Sequence, residues 1–187
     1  MGLRVLAFAG SARAGSYNAR LLAHAVELLR ARGAEVDVLD LGALALPLYN
    51  ADDESAHGAP EGALRLKAAL RAHDALLIAS PEYNGFFTPL LKNAIDWASR
   101  PDSGQPSPFA GKVAALIAAS PGALGGIRAL PALRILLSIL GVLVLPGQLA
   151  LPLAHEAFAE DGSLRDARLE KTLGDVVGAL LASARTT

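Results

Sequence analysis

Three short apolar runs, at residues 5–9, 75–79 and 113–119, each end in a polar turn that carries glycine, and each turn leads into a stretch with helical periodicity. A run of that length without polar alternation is what a strand buried on both faces presents. Strands of this kind alternating with helices predict an α/β architecture, a parallel sheet covered by helices on both faces. Ligands of such sheets sit beyond the carboxyl ends of the strands, where strand order reverses. The turns at 10–18, 80–85 and 120–126 are therefore expected to gather into one site.

The remaining pattern supports this frame. After the first turn, Leu21, Leu22, Ala25, Val26, Leu28 and Leu29 keep one apolar helical face until Gly33 stops it. Residues 35–41 read as a short edge strand, 42–60 as a loop, and 64–72 as a helix. Within 42–60, Asp52, Asp53 and Glu54 read as solvated acids, and the four histidines lack ligand spacing, so no metal is assigned. Residues 86–100 read as a helix with Leu90, Leu91, Ala94, Ile95 and Trp97 inward. A linker at 101–111 rich in Pro, Ser and Gly follows the helix. Residues 127–140 read as a helix, 142–145 as a last strand ended by Pro146, and 163–183 as a closing helix. At 187 residues without internal repeats, the chain suits one domain.

The first turn reads as a phosphate loop. Ser11, Ser16 and Asn18 bring short hydrogen-bonding side chains, Arg13 brings a fork of cationic donors, and Gly10 and Gly15 let the backbone approach a ligand. Ser16 or Asn18 can cap the helix behind it, and the free N–H groups of a helix start favour an anion. No acidic residue precedes Glu27. The alternative is an ordinary capped turn between strand and helix. Neither the dinucleotide fingerprint nor the nucleoside-triphosphate loop is present, so a smaller phosphate monoester fits better.

Composition narrows the partners. A formal charge of -1 without a basic stripe gives no electrostatic case for nucleic acid or an anionic membrane. The 52% of hydrophobic residues is broken into segments too short to span a bilayer. The start lacks the layout of a signal peptide, so a cytoplasmic location is expected. With no cysteine, any redox role needs a bound cofactor.

Three motifs, Gly-Ser-x-Arg-x-x-Ser-x-Asn at 10–18, Pro-Glu-Tyr-Asn-Gly at 81–85 and Leu-Lys-Asn-x-x-Asp-Trp at 91–97, occur in that order. Leu46-Pro-Leu-Tyr and Pro108-Phe-Ala-Gly-Lys fall between and after them. In these the chain resembles the NADPH-dependent FMN reductase family, over nearly its whole length. The resemblance implies a flavodoxin-like three-layer sandwich whose five-stranded parallel sheet has the order 2-1-3-4-5. It implies FMN as cofactor, NADPH or NADH as electron donor, and a homodimer or homotetramer with the helix of Lys92, Asn93 and Trp97 in the interface. Carried over by residue, it assigns Ser11, Arg13, Ser16, Tyr17 and Asn18 to the phosphate loop. Pro81, Glu82, Tyr83, Asn84 and Gly85 fall to the flavin ring and ribityl chain, and Ser120 and Gly122 to the third turn.

The expected activity is transfer of electrons from a nicotinamide through FMN to a small acceptor such as a free flavin, quinone, azo compound, nitroaromatic or metal oxyanion. No acid–base pair is assigned, because hydride transfer needs none from the protein. Arg100 and Arg128 are the cations nominated by loop position for the 2′-phosphate of NADPH. FMN is expected and not FAD, since no second phosphate loop is visible. The rival readings are a flavodoxin-type electron carrier, against which Arg13 and the near-neutral charge speak, and a flavin-free interaction module.

Overall fold

The computed structural model describes residues 2–102 and 104–184. Strands β1 (Arg4–Ala9), β2 (Glu35–Leu39), β3 (Ala75–Ala79), β4 (Val113–Ala119) and β5 (Leu143–Leu151) form one parallel sheet in the order β2-β1-β3-β4-β5. Helices α1 (Tyr17–Ala31), α2 (Ala51–His57), α3 (Glu61–Ala72), α4 (Pro89–Ala98), α5 (Ala129–Ile139) and α6 (Ala167–Ala184) complete the chain. Strand order reverses at β1, so the ends of β1 and β3 flank the switch point.

Side chains of a strand alternate between faces, and the three apolar strands therefore supply two cores at once. Val5, Ala7, Ala9, Leu77, Val113 and Ile117 pack with Leu21, Leu22, Val26 and Leu29 of α1 and with Leu173, Val177 and Leu180 of α6. Leu6, Phe8, Leu76, Ile78 and Leu116 pack on the other face, with Leu66 and Leu70 of α3, Leu91 and Ile95 of α4, and Leu130, Leu133 and Leu137 of α5. Each fully buried Leu or Ile contributes about 1.5–3 kcal/mol. Among the described residues no helix is long and apolar enough to cross a membrane.

Two segments differ from the sequence expectation. Residues 42–60 are not one loop. They hold a 3₁₀ turn at Gly42–Leu44 and the helix α2, which Asn50 caps by accepting from the Asp52 N–H at 2.9 Å. Asp52, Asp53 and Glu54 fall in its first turn, where carboxylates suit the helix dipole. Nor does the last strand stop at Pro146. Pairing of β4 with β5 jumps from Ala114–Val144 to Leu116–Gln148, and the extra residues, Pro146 among them, bulge from an edge strand where the missing N–H is tolerated. Arg134 of α5 donates to the Val144 and Leu145 carbonyls at 2.9 and 2.7 Å, which satisfies the interrupted ladder.

Candidate functional site

At the end of β1, Ser16 caps α1 by accepting from the Ala19 N–H, and Ser11 Oγ accepts from the Arg13 N–H at 3.3 Å. Both hydroxyl oxygens thus shape the turn. Among the described residues, the N–H groups of Tyr17 and Asn18 in the first helical turn meet no acceptor. Arg13 is exposed and its guanidinium meets no acceptor among the described residues, standing 6.0 Å from the centre of the half-buried Tyr17 ring. The Asn18 side chain bonds within the chain. Its buried amide donates to the Ala119 carbonyl at 2.8 Å and accepts from the Ala119 N–H at 2.9 Å, which ties α1 to the end of β4.

At the end of β3, the main chain of Tyr83 and Phe86 pairs in both directions around Asn84 and Gly85, whose φ angles are 53° and 79°. Two central residues with positive φ mark a type I′ pattern, for which Asn-Gly is the preferred pair. The hairpin turns Tyr83 and Phe86 outward, each 51% exposed, while Pro81 is buried. Phe86 leans on the buried Phe87 with ring centres 4.4 Å apart.

Beyond β4, Ser120 Oγ accepts from the Gly122 N–H at 3.1 Å, and the Gly122 carbonyl accepts from Gly125 and from Leu153. A Cβ on Gly125 would stand 2.7 Å from the Ala150 main chain, so only glycine lets this turn lie against the end of β5. Leu153 and Ala154, which sequence reasoning left outside the site, are thereby brought beside it.

Three ties draw the turns together. Thr88 caps α4 and donates to the Gly10 carbonyl at 2.6 Å, joining the second turn to the first. The Glu82 carboxylate accepts from the Arg128 backbone N–H at 3.0 Å and Nε at 2.6 Å, and pairs with its terminal nitrogen, joining the second turn to the third. The Asn18 amide joins the start of α1 to the end of β4. Thr88 before Pro89 is a helix-start signal legible in sequence. The reach of Glu82 over 46 residues is not.

Several expected ligand contacts are thus intrachain contacts. Arg100 is held by Glu54 at 2.9 Å and Arg128 by Glu82, so neither nominated cation stands unpaired. Asn93 and Trp97 both donate to the Pro47 carbonyl at 2.8 Å, Asn93 also accepts from the Tyr49 N–H, and Lys92 pairs with Asp96. This clips residues 46–49 onto α4. Among the described residues the side chains of Arg13, Tyr83 and Asn84 have no hydrogen-bond partner, and the hydroxyls of Ser11, Ser16 and Ser120, which each accept from a backbone N–H, keep an O–H to donate to a ligand.

Open N–H groups beside an unpaired guanidinium fit a phosphate, and an aromatic hairpin on the neighbouring strand fits a flat ring, as FMN requires. Comparisons with known proteins agree. Residues 3–156 match the family model for NADPH-dependent FMN reductase. An NAD(P)H-dependent FMN reductase of Pseudomonas aeruginosa is 40% identical over 179 residues, covering 95% of this chain and 93% of the relative. A probable NADPH:quinone oxidoreductase of Oryza sativa subsp. japonica is 36% identical over 187 aligned residues, covering 97% and 89%. Among solved structures, the flavoenzyme NAD(P)H:(acceptor) oxidoreductase FerB from Paracoccus denitrificans superposes with a TM-score of 0.85 at 34% identity over 98% of each chain. With its flavodoxin-like sheet and these matches, the chain belongs to the NADPH-dependent FMN reductase family.

Proposed function

We propose that this oxidoreductase holds the FMN phosphate on Ser11, Arg13, Ser16, Tyr17 and Asn18, through Arg13 and the open N–H groups of α1. The flavin ring and ribityl chain lie against Pro81, Glu82, Tyr83, Asn84 and Gly85, with Ser120 and Gly122 closing the third side. The observation that carries this reading is Arg13, whose guanidinium meets no acceptor among the described residues, at an open helix start one strand away from an aromatic hairpin. Bound FMN supplies hydride acceptance from NADPH or NADH and onward transfer to a second acceptor. The protein fixes the phosphate, offers main-chain groups of the Tyr83–Phe86 hairpin to the ring edge, and leaves half-exposed aromatics at the mouth for a flat acceptor.

The acceptor is a small molecule of the flavin or quinone class. The names of the relatives and the apolar mouth made by Tyr83, Phe86, Leu124, Ile127 and Leu153 support this choice. We read residues 1–187 as one domain, acting in the cytoplasm as a homodimer or homotetramer. The exposed apolar residues of the mouth and of α5, Ile135 and Ile139, offer surface for such an interface.

The test is chromatography of the heat-released chromophore, then anaerobic stopped-flow reduction of the FMN-loaded protein by NADPH and by NADH and mixing with a panel of acceptors. Release of FMN, and reoxidation by quinone or flavin faster than by metal oxyanions, is expected. No flavin after reconstitution with excess FMN, or no reduction by either nicotinamide, would overturn the reading.

A further inference from the structure

A cavity of about 810 Å³ opens from the first turn and runs along the outer face of α1, away from the flavin-ring turns. Its volume lies within the roughly 300–1,000 Å³ of small-molecule sites. Ser11, Arg13, Arg20, Ala23, Phe158 and Asp161 are among the residues that line it. No residue of the second or third turn lines it. Whatever enters therefore lies on the far side of the phosphate turn from the ring.

Its charges single out one group. Glu27 is paired with Arg30, His24 with Glu170, Asp40 accepts from the Gly42 and Ala43 N–H groups, and Asp161 accepts from the Ser163 N–H and hydroxyl. The Arg20 guanidinium carbon stands 4.3 Å from the centre of the Phe158 ring, and none of its guanidinium donors meets an acceptor among the described residues. Every other described Arg or Lys, save Arg13 and the exposed Arg65, is bonded to a carboxylate or carbonyl oxygen. Two of the three unpaired cations therefore face one cavity. Arg20 lies one helical turn beyond Ser16, about 6 Å along the axis. The cation–π contact with Phe158 favours this position of the guanidinium, whose donors suit a phosphate.

We infer that this cavity is a second phosphate and nucleoside subsite, so that the first turn accepts FAD as well as FMN, with the adenylate half along α1 and its phosphate on Arg20. The inference rests on the FMN reading of the first turn. A diphosphate leaving that turn away from the ring enters the cavity at Arg13 and meets Arg20 next. The ribose hydroxyls then find a carboxylate acceptor in Asp161, and the adenine lies against the small residues around Ala23. No second glycine-rich loop is needed, because the second cation comes from the face of α1 itself.

The test compares FMN and FAD binding to the apoprotein by flavin-fluorescence quenching in wild type, Arg20→Ala and Ala23→Phe, with far-UV circular dichroism and Tm to check folding. Wild type should bind both flavins. Arg20→Ala should weaken FAD by about tenfold or more, the loss of one charge-assisted contact, and change FMN less than twofold. Ala23→Phe, which fills the space one turn along α1 and keeps the Arg20 cation, should weaken FAD and spare FMN. Wild type that binds FMN but not FAD, or FAD affinity unmoved by both variants, overturns the subsite and leaves the FMN reading standing. Wild type that binds neither flavin overturns both.

Discussion

At the scale of single residues, the site rests on a contrast between arginines on either side of a helix start. Arg13 sits in the turn, where its guanidinium can make a charge-assisted contact to the FMN phosphate, while Arg20 lies past the helix-end field. Arg13→Ala should raise the Kd for FMN about 10- to 100-fold, the equivalent of about 1.5–3 kcal/mol, and Arg20→Ala should leave it near wild type. Riboflavin, which has no phosphate, should bind wild type and Arg13→Ala alike in the same quenching titration. Equal losses for riboflavin and FMN would place Arg13 at the ring or in the fold. Gly85 makes a second residue-scale case. Its φ of 79° and the open space around an added Cβ mean that conformation, and not crowding, demands glycine there. Forcing a branched residue into that region costs about 1–3 kcal/mol. Gly85→Val should therefore distort the hairpin and weaken FMN binding about tenfold, with far-UV circular dichroism near wild type. Unchanged affinity in the folded variant would show that the hairpin does not line the flavin site.

At the scale of elements, what matters is how helices and strands that are distant in sequence are held in register at the mouth. Asn18 is the clearest instance, because both ends of its buried amide bond to Ala119 and fix α1 against β4. Asn18→Ala leaves a buried N–H and C=O without partners. It should cost about 2 kcal/mol and lower the Tm of the apoprotein by about 4–8 °C. Arg13→Ala should leave that Tm nearly unchanged. A thermal scan of both apoproteins separates the roles, and an Asn18→Ala apoprotein as stable as wild type would show that the tie carries no weight. The motif at 91–97 has the same lesson. Its Lys, Asn and Trp read as interface residues, yet Asn93 and Trp97 hold residues 46–49 of their own chain.

At the scale of the whole molecule, the two ends of the sheet do different work. The mouth keeps its hydrogen-bond donors open for a ligand, whereas the opposite half holds buried charge that is fully paired. Lys67, only 2% exposed, donates to Asp102 at 2.6 Å, and Arg71 donates to the same carboxylate at 2.5 Å. These two hydrogen bonds hold the Asp102 carboxyl below the usual carboxylate range. A carboxylate whose folded pKa is lowered adds stability that is complete above its unfolded value, near pH 4, and is lost as pH falls through the folded value. Asp102→Asn should cost about 2 kcal/mol at pH 7, less than the about 3–5 kcal/mol of a fully buried pair because Asp102 is partly exposed. The gap in urea midpoint between wild type and variant should hold from pH 7 to about 5 and close below about pH 4. A gap independent of pH would assign the effect to packing.

The sequence by itself determined the strands, most of the helices, the gathering of three turns and the family. The elements follow from local quantities, apolar runs, helical periodicity and a cap, and the family from three motifs in order. Strand β5 was cut short at Pro146 because a bulge depends on the neighbouring strand and on Arg134, neither of which lies nearby in the chain. Helix α2 was missed because it buries no side chain and so leaves no apolar stripe in the sequence. Only the tertiary structure decided which polar groups remain available to a ligand. Asn18, Glu82, Arg100 and Arg128 find partners 46 to 101 positions away in the chain, and Arg20, still exposed in the folded chain, meets the Phe158 ring and lines a cavity with it. A hydrogen bond satisfied across such a distance occupies the atoms that make it and leaves the residue's main chain and remaining polar atoms for a ligand. Sequence spacing carries the identity of a donor, and only the folded chain settles whether that donor is still free.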